Sequence, residues 1–559
     1  MVKLTEKRLI TAALPYVNNI PHLGHIVGSH LPADIFARYC RSKGYDTLFI
    51  GGTDENGTPA LLAAEEHNIP LPKFLDTIYE VHKKIYEWFN ISYDNFSRTS
   101  KKIHAETTQA FFKTVEKNGF VTQGSVKQFY DEEKELFLAD RYVTGTCGYC
   151  NYEHARGDQC EECGNVLDTT TLKNPVSTIS KKTPIIKESN HLFLDYPKLS
   201  PKLQTWIESQ THWRHQVRNL ALGWLKEGLK ERSITRDLKS GIPVPLEGFE
   251  DKVFYVWFDA PIGYISSTKE HTPKWKDYWQ NKDSQIYHFV GKDNIPFHSI
   301  FWPASLIAQG EYNLPYNVVG LQYLTFEGGK FSKTHKRGVF CEHLEKAKIP
   351  VDILRAYLTF LIPESDDTEF KWDELGTRVN ADIIGNVGNF INRTLTYAAN
   401  KCESTILQPT KLNEADTTFV AAVKKQVDVI EQAFEAVELR QALREVLKLS
   451  DIGNKYFNDQ QPWVVIKEDK QRAQEIVYQC SNVCKTLAIV IAPFLPETAE
   501  KINKQLNITT ACTWEELQNP LPKKHTIGTP KVLFEKITPE HIEQWKKITA
   551  ETSPVSSFF

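Results

Sequence analysis

Leu9-Ile10-Thr11-Ala12-Ala13-Leu14-Pro15-Tyr16-Val17-Asn18-Asn19-Ile20-Pro21-His22-Leu23-Gly24-His25 decides how this chain is read. Its first residues form a short apolar run, the pattern of a buried strand, and the run stops at a turn rich in Pro and Asn. An amphipathic stretch from about Leu23 to Lys43 follows and ends at Gly44, a residue suited to the left-handed position after a helix. The imidazoles of His22 and His25 therefore stand where a strand feeds the first turn of a helix. Such a place favours anions, because unpaired backbone N–H groups and the helix dipole both point at it. Gly24, between them, leaves room for a flat nucleotide base to approach the backbone. The reading is a nucleotide-triphosphate site.

Working outward, Thr47-Leu48-Phe49-Ile50 is a second apolar run that enters Gly51-Gly52-Thr53-Asp54. Strand, glycine turn and acid fit the carboxyl-end crevice of an open α/β sheet. Alone, Asp54 reads first as a turn or helix-capping residue; the alternative is a carboxylate for a substrate ammonium group. Helical patterns alternate with loops to about Gly119. At 559 residues the chain holds several domains, and 41% hydrophobic with 25% charged residues is the composition of a water-soluble globular protein. No apolar stretch is long enough to span a bilayer and the first residues have no signal-peptide core, so the expected setting is cytoplasmic, without a membrane partner. A net charge of −3 excludes a global positive field, so an RNA partner needs local basic patches.

From Asn118 to about Arg218 the texture changes to short strands and turns around Cys147-Gly148-Tyr149-Cys150 and Cys160-Glu161-Glu162-Cys163. Two C-x-x-C pairs, each with a glycine for a tight turn, match a tetrahedral thiolate zinc site. Disulfides and a redox dithiol are the alternatives; a reducing compartment weighs against the first and the lack of a βαβ setting against the second. Four Cys ligands leave no open position, so one zinc here holds a fold and performs no chemistry.

Alternation then resumes. Lys252–Tyr264 reads as an aromatic strand running into a turn, and Ile286–Val290 as a strand ending at Gly291-Lys292-Asp293, where Asp293 can accept hydrogen bonds from a ribose. Trp257, Tyr264, His298 and Trp302 read as core, the alternative being a large apolar pocket. Farther on, Phe326-Glu327-Gly328-Gly329-Lys330-Phe331-Ser332-Lys333-Thr334-His335-Lys336-Arg337-Gly338 sets a Gly-Gly turn before a strongly cationic loop. Such a loop suits a polyphosphate and the charge developing on a departing pyrophosphate. Two triphosphate signals, one near each end of a split α/β region, reinforce each other.

His22-Leu23-Gly24-His25 and Lys330-Phe331-Ser332-Lys333-Thr334 resemble the HIGH and KMSKS signatures of class I aminoacyl-tRNA synthetases. The surrounding text is similar to the methionyl branch of that family: Ala13-Leu14-Pro15-Tyr16, Gly52-Thr53-Asp54, the four cysteines, Tyr255–Tyr264, Gly291-Lys292-Asp293, Phe297–Trp302, Arg378–Asp382 and Gln461–Val465. The resemblance covers nearly the whole chain in the family's order, and it turns the aromatic cluster from core into a substrate pocket. It implies activation of L-methionine by ATP to methionyl-adenylate, then transfer to tRNA(Met). His22, His25, Lys330, Lys333 and Arg236 are implied in catalysis. Gly24, Asp293 and Thr334 join His22, His25 and Lys333 in binding ATP, and Mg²⁺ accompanies the nucleotide. Leu14, Tyr16, Asp54, Trp257, Pro261, Tyr264, His298 and Trp302 are implied in binding methionine. Phe331 stands where Met is usual and Thr334 where Ser is usual, so altered loop closure is expected.

The expected fold is α/β: a Rossmann-like parallel-sheet catalytic domain split by a zinc-binding insert, followed by an α-helical anticodon-binding domain. The expected divisions are 1–117 and 226–325 for the two catalytic halves, 118–225 for the insert, and 326–376 for a stem-contact region. Residues 377–520 form the helical domain and 521–559 a C-terminal segment packing back on the catalytic domain. Asn389 and Arg393 lie four apart on one helical face, and by the resemblance they read the anticodon with Trp463 as a stacking platform. A monomer is expected if Phe559 is the natural end. The rival readings are a class I synthetase for another amino acid, for which the short insert leaves no editing domain, and a non-catalytic tRNA-binding relative, against which the intact signature residues argue.

Overall fold

The apolar run of the opening stretch becomes a central strand. In the computed structural model, which describes residues 6–138, 142–156, 160, 162–163, 167, 169–329, 331, 338–550 and 555–559, β1 (Lys7–Ala12) buries five of its six residues. A strand covered on both faces reads as a continuous apolar run and shows no alternation. After the Pro-Asn turn the chain makes a short helix, Leu23–His25, and a π-helical turn, Ile26–His30, before α1 (Leu31–Lys43). Ser29 explains why that wide turn is stable: its Oγ accepts from the Ala13 N–H (2.8 Å) and donates to the Phe289 carbonyl (3.0 Å). Helix α1 ends as its sequence predicts, on Gly44 at φ 90°, a conformation glycine adopts without strain.

β2 (Asp46–Thr53), α2 (Leu71–Trp88), β3 (Asn95–Arg98) and α3 (Lys102–Lys117) complete the first half. The interruption then begins with β4 (Val121–Asp131), which pairs antiparallel with β5 (Ile185–Leu194), so that Val121 lies opposite Leu194 and Tyr130 opposite Ile185. Between these two strands lie the short strands Val143–Thr146, Ala155–Arg156 and Lys173–Ser177, and the cysteines fall in the segments that connect them. The second half supplies α4 (Ile262–His271), β6 (Ser284–Gly291), α5 (Trp302–Gln309) and β7 (Asn317–Leu321). The five strands β7-β6-β1-β2-β3 form one sheet with every pairing parallel, and Leu9 lies level with both Leu48 and Ile286. The order reverses at β1, so ligands belong in the crevice at the carboxyl ends of β1, β2 and β6. Those ends carry the Ala13–His25 turn, Asp54 and Asp293.

The aromatic segment corrects its sequence reading. Only Val253 and Phe254 are strand; Val256–Asp259 is one helical turn and α4 follows directly after Pro261. Aromatic and β-branched residues favour strands on average, but Pro261 starts a helix well and burial of Val256 and Phe258 against neighbouring elements decides the outcome.

The rest of the chain is mainly helical: α6 (Val351–Phe360), α7 (Asn389–Lys401), α8 (Glu414–Glu435), α9 (Leu439–Gln460) and α10 (Lys470–Ile491). The long amphipathic pattern from Thr417 to Tyr456 is two helices, because the chain reverses at Val437 with φ +56°. Arg355 of α6 ties this half to the sheet. Fully buried, it donates to Asp34 Oδ2 (2.8 Å) and to the carbonyls of Phe89, Pro493 and Phe494 (2.8–3.0 Å). A buried charge with every nitrogen hydrogen-bonded fixes geometry, although its net contribution to stability is small. Among the described residues no helix is long and apolar enough to cross a membrane.

Candidate active site at the carboxyl end of the sheet

The two signature histidines cap each other's backbone. His22 precedes the first helical turn and its Nδ1 accepts from the Gly24 N–H (3.0 Å), while His25 Nδ1 accepts from the His22 N–H (3.2 Å). With both Nδ1 atoms used as acceptors, each neutral ring carries its proton on Nε2, a donor suited to phosphate oxygens. The rings lie 3.9 Å apart between centroids, and His22 stacks on Phe331 at 4.5 Å and 6°. Gly24 is required for a reason the sequence did not suggest. A Cβ there would stand 2.8 Å from His22 Cε1, so the glycine makes room for the imidazole that caps it. Lys330, Lys333 and Thr334 lie outside the described residues. Phe331, between the two lysines, is described, and it links the cationic segment to His22.

Four residues beyond the end of β1, Tyr16 forms a parallel bridge with Asp54. The Asp54 N–H donates to the Pro15 carbonyl (2.9 Å), and the Val17 N–H donates to the Asp54 carbonyl (3.3 Å). This pairing carries β1 and β2 past their ends and sets the Asp54 side chain into the crevice. Asp54 is 4% exposed, and its Oδ1 has no hydrogen-bond partner among the described residues. Burial, and next the neighbouring Asp259 carboxylate, push it well above the usual carboxylate range. A buried acid without its own cation is a receptor for one.

The remaining pocket residues surround this acid. Leu14 reaches α4 where Gly263 has no side chain; a Cβ there would meet Leu14 Cδ1 at 2.8 Å. Tyr264 donates its hydroxyl to His298 Nε2 (2.9 Å), and His298 Nδ1 is 3.0 Å from the Asn294 carbonyl, which needs an Nδ1–H. Burial holds His298 down to about 4, so at neutral pH it is an uncharged brace for Tyr264. Trp257 meets Tyr16 edge-on (6.5 Å) and lies face to face with Phe297 at 3.5 Å and 10°. Pro261 starts α4 beneath them. Trp302 sits deeper, 2% exposed between Phe111 and Trp279, with its indole N–H directed to His288 Nε2 (3.3 Å). Its place is the pocket's supporting core, which keeps part of the first reading of the aromatic cluster. Phe297 was missed, because its neighbours His298 and Trp302 carry the more distinctive chemistry and a stacking partner forty residues away leaves no periodic signal.

Two further residues complete the crevice. Asp293 lies on the turn after β6 and accepts from the Tyr323 hydroxyl, a contact that spans to the segment leading into the cationic loop. Arg236 packs its guanidinium 3.6 Å from the Tyr255 ring centre and donates to the Thr235 carbonyl (2.8 Å), beside the turn that leads to Trp257.

The four insert cysteines converge. All their sulfurs lie within 4.8 Å of one another, with Cys150 and Cys160 at 3.6 Å and Cys147 and Cys163 at 4.0 Å, and none is in a disulfide. Thiolates at 2.3 Å from a central ion stand about 3.8 Å apart in a tetrahedron. The donor set therefore fits zinc in both chemistry and spacing. Far away, Arg393 on α7 lies 5.1 Å from the Phe457 ring and 6.0 Å from the Trp463 ring, and donates to Asn458 (2.8 Å). Trp463 follows a left-handed Gln461 and Pro462 and is 41% exposed; Asn389 is exposed one turn before Arg393. The three residues share one surface, held by α7 and the end of α9.

Comparison with known proteins agrees with this architecture. A family model described as "tRNA synthetases class I (M)" matches residues 8–395, and one described as "Anticodon binding domain of methionyl tRNA ligase" matches residues 407–553. The chain is 41% identical to human cytoplasmic methionine–tRNA ligase over 561 residues, covering 98% of this chain and 62% of that one. It is 41% identical to the methionine–tRNA ligase of Porphyromonas gingivalis over 538 residues, covering 95% and 79%. The chain spans 61% of the length of the mouse and Xenopus laevis relatives it also matches. In fold it is similar to Mycobacterium tuberculosis methionyl-tRNA synthetase in complex with methionyl-adenylate, with a TM-score of 0.80 and 24% identity over 95% of this chain and all of that one. With a parallel sheet split by a four-cysteine insert, a helical C-terminal half and a family model covering residues 8–395, the chain belongs to the class I tRNA synthetases of the (M) family.

Proposed function

We propose that the chain is a methionine–tRNA ligase, which joins L-methionine to ATP as methionyl-adenylate and passes the methionyl group to tRNA(Met). The observation that carries this reading is the buried Asp54 carboxyl, with an unpartnered oxygen, in an aromatic pocket one turn from the paired histidines. Asp54 holds the methionine ammonium. Leu14, Tyr16, Trp257, Pro261, Tyr264 and His298 shape the thioether pocket, with Trp302 behind them, because a thioether offers only length and polarisable contact for recognition. The methionine carboxylate then attacks the α-phosphorus; a carboxylate–phosphorus bond forms, the bond to the bridging oxygen breaks, and pyrophosphate leaves. A hydroxyl of the terminal tRNA adenosine next attacks the methionyl carbonyl and AMP leaves. Neither step needs a protein nucleophile, so positioning and charge stabilisation are what the site supplies.

In this reading Nε2–H groups of His22 and His25 contact the triphosphate, Gly24 admits the nucleotide, and Asp293 accepts from the ribose. Lys330, Lys333 and Thr334 clamp the pyrophosphate, and Arg236 neutralises the reacting phosphates. Mg²⁺ enters with ATP and offsets charge on its phosphate oxygens. Zinc on Cys147, Cys150, Cys160 and Cys163 holds the insert. Chelation is expected to remove about one zinc per chain and to loosen residues between β4 and β5, seen as faster amide exchange there while the sheet stays protected. A chain that contains no zinc, yet is fully protected there, contradicts that assignment. The proposed divisions are the two catalytic halves around the insert, a stem-contact region and the anticodon-binding helices. The cytoplasm is the proposed site of action, supported by the relatives named as cytoplasmic.

The test is charging of tRNA(Met) with methionine by the purified chain. Trp463→Ala is expected to lower charging about ten- to a hundredfold, the loss of one stacked base at about 1–3 kcal/mol, and to leave methionyl-adenylate formation unchanged. Equal losses in both reactions would make Trp463 a packing residue.

A further inference from the structure

Behind Asp54 lies a second buried acid that the proposed function does not use. Asp259, the last residue of the helical turn before Pro261, is 1% exposed. Its Oδ2 accepts from Asn56 Nδ2 (2.6 Å) and faces His104 Nε2 (3.4 Å), while its Oδ1, like Asp54 Oδ1, has no hydrogen-bond partner among the described residues. His104, on α3, is fully buried, and its Nδ1 lies 3.0 Å from Ser266 Oγ. The same hydroxyl lies 3.1 Å from the Gly263 carbonyl, so both ring nitrogens of His104 face polar partners, and the imidazole holds Asp259 in place.

The other groups around the two acids are already committed. Glu55 is taken up by Arg98 (2.8 Å), Thr53 (2.8 Å) and Ser100 (2.5 Å). The Tyr264 hydroxyl donates to His298 (2.9 Å). Two buried acids thus each keep an unpartnered oxygen, and an arriving ammonium group pairs with Asp54 as that acid gives up its proton.

We propose that Asp259, gripped by Asn56 and His104, is a positioning residue of the amine pocket, and that the ammonium group of the amino acid enters in exchange for one proton from Asp54. The proton leaves Asp54 for solvent, Asp54 becomes the carboxylate that pairs with the ammonium, and the charge of the site is the same before and after. The push that burial and Asp259 exert on Asp54 agrees with this. The device gives selectivity as well. A substrate analogue without the amine leaves a protonated Asp54 in place. This inference rests on the amino-acid pocket of the proposed function.

Titration calorimetry of the whole chain tests it, with L-methionine and with L-methioninol, which keeps the ammonium and lacks the carboxylate. In two buffers of different ionisation enthalpy near pH 7, about one proton is expected to be released per ligand bound, with affinity rising about tenfold per pH unit below that. Asp259→Asn keeps the Asn56 contact and removes the neighbouring charge while burial still acts on Asp54, so Asp54 ionises more readily; proton release near pH 7 is expected to fall and the affinity profile to move to lower pH. Binding of methionine with no proton released by the unmodified chain, or an unchanged proton count and pH profile in a folded Asp259→Asn chain, overturns the inference and leaves the proposed function standing. Binding of a different amino acid with one proton released overturns the methionine specificity and leaves the inference standing. No binding of any amino acid overturns both.

Discussion

Replacing Asp54 with Asn is expected to lower kcat/KM for methionine in adenylate formation by about two to three orders of magnitude, with the KM for ATP nearly unchanged. The substitution keeps shape and removes charge. It leaves a substrate ammonium in a buried pocket without its counterion, and breaking a buried pair in that way costs about 3–5 kcal/mol. The same change should stabilise the ligand-free chain. The acid is held above its ordinary range by burial and by Asp259, so at neutral pH the unfolded chain ionises it freely while the folded chain resists. The gain from Asn is therefore absent below the ordinary carboxyl range. It grows as the pH rises and levels off above the raised value of Asp54 itself. A melting temperature about 2–4 °C higher near pH 7.5, with no difference at pH 3.5, is the expected pattern. A variant that binds methionine normally would remove Asp54 from the amine site.

Lys333→Ala is expected to slow ATP–pyrophosphate exchange by about three orders of magnitude while methionine affinity, measured by calorimetry, stays within about twofold. The argument is electrostatic. Negative charge moves onto the departing pyrophosphate only as the reaction proceeds, so a cation aimed there acts on the transition state and not on the bound amino acid. Phe331, two positions earlier in the chain, stacks on His22, which itself caps the helix start. An exchange rate that survives the substitution would assign the cationic segment a role outside the chemical step.

Much of this could be read in the sequence because local rules and the fold agree. β1 shows no polar–apolar alternation from Leu9 to Ala12 since both its faces are covered, and α1 stops at Gly44 since that residue must be left-handed. The two C-x-x-C pairs needed only their spacing. What escaped depended on packing between distant segments. The Tyr255–Tyr264 stretch has the composition of a strand, yet Pro261 and the burial of its aromatic face make it helical. The division between α8 and α9 turns on Val437, a β-branched residue at positive φ that no turn rule selects. Asp259 and His104 are each unremarkable where they stand; they become one unit only when α3 and α4 pack together. Phe297 likewise gains its meaning from Trp257, and Gly24 from the ring of its neighbour His22.

Methionine activation by this chain is most directly tested by ATP–pyrophosphate exchange with each of the twenty amino acids in turn. Rapid exchange with L-methionine, and rates at least about a hundredfold lower with leucine, isoleucine, valine and cysteine, is the predicted result. Exchange driven by another amino acid in place of methionine, or by none of them, would contradict it.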